Sequence, residues 1–172
     1  MATERTHVPR DVKLTVLIEA GYRCAVPTCR TILAIDLHHM VEVSEGGDNS
    51  PHNLLALCPT CHALYHRGIY DKEAIFAWKG MLVAISQAFD YDTIDLLMFL
   101  AKPESSNLRV DGGGVLRFAR LVAAGLATFF LKIQNGPLLL YQIELTPKGT
   151  ALINAWRSGK RADVAQALGG GT

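Results

Sequence analysis

Apolar residues first recur at helical spacing over residues 9–20. Val12, Val16, Leu17 and Ala20 share one face, Pro9 suits the first turn and Gly21 the stop. The period then changes. Residues 24–29 enclose a Pro-Thr turn, and residues 31–39 read as a short strand with Ile32, Ile35 and Leu37 among its apolar positions. Residues 43–51 form a loop punctuated by Gly46-Gly47 and Asp48-Asn49-Ser50-Pro51. A second short strand covers residues 53–57, and Pro59 opens a compact helix that stops at Gly68. From the cap Asp71 a longer helix runs to Phe89, with Ile75, Trp78, Leu82 and Ile85 three or four residues apart.

The second half has another rhythm. Asp92 is expected to cap a helix over 93–101, stopped by Pro103. Residues 104–114 are polar and glycine-bearing, and suit a loop or a short helix. Residues 115–124 read as helix, ended by Gly125. Two β-rich runs flank Asn135-Gly136, a strong hairpin signal. Thr146-Pro147 then caps a helix reaching Trp156, and a glycine tail at 169–171 reads as frayed.

Composition divides the chain further. Of 172 residues, 49% are hydrophobic and 19% charged, which excludes a disordered chain. Lys plus Arg is 17 and Asp plus Glu is 16, so the +1 balance excludes a strongly basic coat. Residues 1–80 hold eight basic and nine acidic side chains, 81–103 one and three, and 104–172 eight and four. All four cysteines and six histidines precede residue 67. Two chemically different domains follow, at 1–89 and 90–172. No apolar run is long enough to span a membrane, and the N-terminus lacks a secretory core. A cytoplasmic protein with reduced thiols and no membrane partner is expected.

Cys24 and Cys29 have four residues between them, and Cys58 and Cys61 have two. Two close pairs with a longer stretch between them are the spacing of a closed, tetrahedral zinc site. Such a site has no open position, so its Zn²⁺ staples the fold rather than catalyses. His62 and His66 are four apart, on one face of the short helix, and can bite a single divalent ion. The adjacent His38 and His39 offer a third ligand and a separate base.

The run from Tyr22 to Gly68, with its cysteine knuckles, His38-His39 pair, glycine loop, Asn53 and Cys58-x-x-Cys61-His62 end, resembles an HNH endonuclease of the ββα-metal class. The resemblance implies an α+β chain: a ββα-metal HNH module stapled by the four-cysteine zinc site. It implies a metal-dependent hydrolysis of DNA phosphodiester bonds. His39 stands at the family's general base, which takes a proton from the attacking water. His38, His62 and His66 stand at ligands of the catalytic ion. Asn53 is the family's middle residue and orients the base through backbone hydrogen bonds. The proline that the family often has shortly after the base is replaced here by Met40-Val41-Glu42-Val43. A neutral imidazole suits the base role near neutral pH, and imidazole ligands leave Mg²⁺, Mn²⁺, Ni²⁺ and Zn²⁺ open as the catalytic ion.

The C-terminal third resembles a winged-helix-like α/β domain. Residues 116–126 match the second helix of a helix-turn-helix pair and residues 129–145 a wing. Arg67, Arg117, Arg120 and Lys132 are the candidate DNA contacts. Lys132 is the lone charge between Arg120 and Glu144, so homodimerisation or docking of a protein partner competes with DNA binding there. The alternative for the whole chain is a zinc-stapled DNA-binding or assembly module without cleavage. With so little net positive charge, the lone chain should bind DNA with a shallow salt dependence.

Overall fold

The computed structural model describes residues 7–168. These divide into two compact units. Among the described residues the first comprises 7–84 with 156–162, and the second 85–155 with 163–168. No helix among the described residues is long and apolar enough to cross a membrane.

In the first unit, helix α1 (Arg10–Glu19) precedes strand β1 (Asp36–His39), strand β2 (Leu54–Leu57), helix α2 (Pro59–His66) and helix α3 (Lys72–Ala88), whose last turn from Ile85 is assigned to the second unit. Strands β1 and β2 pair antiparallel, with Leu37 opposite Ala56, His38 opposite Leu55 and His39 opposite Leu54. All four β2 side chains are buried, which explains its unbroken apolar run. Val16 and Ala20 of α1 pack on Leu54 and Ala56, with Val8, Val12, Ile35 and Leu37 around them. Asp71 caps α3 by accepting from the Ala74 N–H at 2.7 Å.

The first strand is shorter than periodicity predicts. Arg30 takes a left-handed φ of +53°. The chain therefore doubles back, and the Thr31 carbonyl accepts from the Cys24 N–H at 2.9 Å. That bond commits Thr31 to the knuckle, while Ile32 and Leu33 stay exposed.

The second unit holds helix α4 (Tyr91–Leu100), strand β3 (Arg109–Val110), helices α5 (Gly112–Leu116) and α6 (Ala119–Ala123), and strands β4 (Ala127–Asn135) and β5 (Leu138–Leu145). Helices α7 (Pro147–Ser158) and α8 (Arg161–Ala167) follow, each divided between the units. The sheet order is β3-β5-β4, all antiparallel, which leaves β4 on an edge.

Three local expectations change here. The cap of α4 is Asp90, not Asp92: its carboxylate accepts from the Thr93 N–H at 2.8 Å. The helix expected at 115–124 is split, because Phe118 turns inward between α5 and α6 and is buried. At the hairpin Asn135 pairs with Leu138, so the two turn residues are Gly136 and Pro137. Gly136 has a φ of +56°, and proline cannot follow it into positive φ. The turn is therefore of the II′ kind rather than the I′ kind that Asn-Gly suggests.

Candidate metal centre and catalytic loop

The knuckles bring all four cysteines together. Cys24, Cys58 and Cys61 are buried, and all four are free thiols. Cys58 also caps α2: its sulfur accepts from the Cys61 N–H at 3.4 Å, and Pro59 fills the first helical position. The four sulfurs lie within 4.8 Å of one another, with Cys29 and Cys58 3.8 Å apart. Sulfurs bound at about 2.3 Å to one tetrahedral zinc would stand about 3.8 Å apart, so the quartet fits that ion. Burial pushes the Cys24 thiol up to about 11 and raises the Cys61 thiol as well. Burial also acts upward on Cys58, but the Cys61 N–H and neighbouring thiols outweigh it and leave this thiol below its ordinary value. A cluster with one acidified thiol among raised ones is chemically suited to exchanging protons for a divalent ion.

The histidines form a second cluster. Strand β1 carries His38 into the interior, and its Nε2 is buried with no hydrogen-bond partner among the described residues. Helix α2 presents His62 and His66 one turn apart, their Nε2 atoms 3.1 Å from each other. The three ligand atoms lie within 4.8 Å of one another. Two imidazole nitrogens each about 2.1 Å from one ion would be separated by about this much, so the trio fits a divalent ion and explains the orphaned His38 Nε2. Burial, then the neighbouring imidazoles, hold His38 down to about 4. It is therefore neutral near pH 7 and keeps a lone pair to donate. The Tyr65 ring meets the His38 ring edge-on at 4.4 Å, and the Asp36 carboxylate stands 3.6 Å from His62 Nδ1. Carboxylates on the far nitrogen commonly orient ligand imidazoles.

His39, the next residue on β1, is half-buried and bonded differently. Its Nε2 lies 2.8 Å from Asn49 Oδ1. Asn53 ties this region together. Its Oδ1 accepts from the Val41 N–H at 2.8 Å, while its Nδ2 donates to the Val41 and Asp48 carbonyls at 2.9 Å each. The side chain thus continues the β1–β2 ladder two residues past His39. The backbone is so close there that a Cβ on Gly47 would lie 1.9 Å from the Val41 oxygen. Glycine is needed for this approach rather than for its dihedral freedom.

The remaining candidates are scattered. Arg67 and Arg117 are exposed. Arg120 pairs with Asp90 at 3.1 Å. Lys132 sits over the Phe130 ring, its Nζ 5.8 Å from the centroid. Asn49, Tyr65 and Lys79 were not singled out from sequence. Asn49 and Tyr65 touch the histidines across a turn of loop or helix, and Lys79 is remote in sequence from what it binds. The Asp48-Asn49-Ser50 turn is polar throughout, so nothing in it distinguishes one of its side chains.

A family profile described as HNH endonuclease matches residues 23–68. This span contains every cysteine and every clustered histidine described above. Among curated proteins the chain is 33% identical to Anaredoxin from Nostoc sp. (strain PCC 7120) over 69 residues, covering 40% of this chain and 88% of Anaredoxin. No solved structure matches the chain. Residues 23–68 therefore carry an HNH endonuclease domain, within a chain that is related to Anaredoxin over most of that protein's length.

Proposed function

We propose that this chain is a metal-dependent endonuclease that hydrolyses DNA phosphodiester bonds, with His39 as general base and a separate structural zinc at Cys24, Cys29, Cys58 and Cys61. The observation that carries the reading is the convergence of the His38, His62 and His66 ligand atoms within 4.8 Å, with His38 on the strand that also carries His39 and the other two on α2. A divalent ion held by these three imidazoles would supply electrostatic stabilisation to the phosphoryl and leaving oxygens.

The side chains account for the rest. His39 accepts the proton of a water as its oxygen bonds to phosphorus and the bond to the leaving sugar oxygen breaks. Asn53 holds the loop that fixes the position of His39. Arg67 is exposed one residue beyond His66 and suits a flanking phosphate. The cysteine quartet spans residues 24–61 and so holds both ends of the catalytic loop. Plasmid nicking by wild type, lost in His39→Ala and in EDTA, is the expected result. Intact plasmid with each of Mg²⁺, Mn²⁺, Ni²⁺ and Zn²⁺ would sink the nuclease reading for the isolated chain.

For the second unit the reading is assembly with a second copy of this chain rather than DNA binding. Phe129, Phe130, Leu131, Ile133, Leu138 and Leu139 are all exposed on the β4–β5 hairpin, and Lys132 is its one charged side chain before Glu144. A phosphate-gripping wing would be basic, whereas an apolar edge strand is suited to pairing with another edge. Light scattering should show a dimer that Leu131→Lys converts to monomer. A monomer at every concentration for wild type would overturn this reading.

A further inference from the structure

We infer that Asn49 is a positioning residue that sets the tautomer of His39, so that Nδ1 is the nitrogen that takes the proton. This inference rests on the nuclease reading for its consequence, but not for its geometry.

An amide side chain can face an imidazole with either of its ends, and the two ends dictate opposite tautomers. The far end of Asn49 settles which applies. Its Nδ2 faces the His7 carbonyl oxygen at 3.5 Å. Turning the amide over would set two acceptor oxygens against each other at that distance. Oδ1 is therefore the atom 2.8 Å from His39 Nε2. An amide oxygen only accepts, so Nε2 must carry the proton. The neutral ring then has its lone pair on Nδ1, which has no hydrogen-bond partner among the described residues.

The neighbourhood keeps Asn49 where it is. Asp48 Oδ1 accepts from the Ser50 N–H at 3.1 Å and the Ser50 hydroxyl at 2.7 Å, closing a turn around Asn49. The Asp48 carbonyl accepts from Asn53 Nδ2 at 2.9 Å. Asn53 therefore holds both partners of the contact: Val41, two residues after His39, and Asp48, one residue before Asn49. The Asn53 amide thus holds the loop and supports the Asn49–His39 contact from both sides.

The test reads the tautomer directly. Long-range ¹⁵N–¹H correlation spectra of histidine-labelled full-length chain at pH 8, assigned with His39→Ala, should show His39 protonated at Nε2. Asn49→Ala should move it to a mixture of tautomers, while Asn49→Asp, which keeps the acceptor, should restore Nε2–H. In the nicking assay Asn49→Ala should lower kcat by about tenfold with little change in KM. A wild-type His39 protonated at Nδ1, or a tautomer indifferent to Asn49→Ala, overturns the inference. If the tautomers behave as expected and wild type cuts no DNA, the nuclease reading fails and the assignment of Asn49 stands.

Discussion

Lys79 Nζ lies 2.6 Å from Glu19 Oε1, and both side chains are largely withdrawn from water. The same ammonium donates to the Pro51 carbonyl at 2.7 Å. One side chain on α3 thus ties the end of α1 to the turn that delivers Asn53, and through Asn53 to the loop around His39. Breaking a buried pair from one side leaves the other charge uncompensated, which costs about 3–5 kcal/mol. Lys79→Met should lower unfolding free energy by that order in a denaturant titration. Lys79→Met with Glu19→Leu should recover most of it, since no charge is then stranded. A loss below about 1 kcal/mol for the single variant would show that the pair does not hold the loop.

Gly47→Ala should damage the loop around His39 more than an ordinary loop substitution. The added Cβ meets the Val41 oxygen at 1.9 Å and Asn53 Nδ2 at 2.8 Å. Backbone must move, and the bonds of Asn53 to Val41 move with it. Nicking should fall by at least tenfold, while melting shifts by only a few degrees. Gly46→Ala is the control: its Cβ would meet nothing, although its φ of +89° makes it mildly strained. Equal activity of the two variants would refute the close-approach argument.

The two clusters should separate by metal retention. Zinc held by four thiolates should survive dialysis against EDTA at one ion per chain, as measured by elemental analysis. Cys61→Ser should lose that zinc and much of the fold with it, because the knuckles bridge residues otherwise held by a small core. His62→Ala with His66→Ala should keep the zinc and lose only a second, exchangeable ion and the cleavage that depends on it. A chain without tightly held zinc would refute the cysteine assignment.

Acid should weaken the second unit through Asp90. The Thr93 hydroxyl and N–H, with the Arg120 charge, hold this carboxyl below its ordinary value. The folded state therefore prefers the ionised form more than the unfolded state does. That contribution is complete above the unfolded value of about 4 and disappears as pH falls through the folded one. Melting temperature should accordingly fall below pH 4, and Asp90→Asn should flatten this part of the profile. Identical acid profiles for the two proteins would exclude the cap as the cause.

Much of this chain is written in local patterns. The caps of α3 and α7, the hairpin between β4 and β5, and the same-face placement of His62 and His66 depend on residues a few positions apart. So does the knuckle spacing of the cysteines. These are short-range steric and hydrogen-bonding preferences, and they survive any later packing. Two such signals failed where another contact intervened. Residues 31–35 have the apolar content of a strand, but the backbone bond of Thr31 to Cys24 commits the strand's start to the knuckle. Residues 115–124 read as one helix, but burial of Phe118 divides it.

The site shows the same division. That His38 and His39 would lie beside a pair on α2 follows from order along the chain once a ββα unit is assumed. That Asn49 meets His39, that Tyr65 covers His38 and that Lys79 reaches Pro51 does not. Each joins groups on different segments, and such contacts exist only after β1, β2 and the helices have packed. Sequence alone determined which residue types were available and which local elements would present them. Tertiary structure decided which nitrogen of each imidazole was buried, bonded or left with its lone pair, because only packing sets the distance between atoms that the chain itself keeps apart.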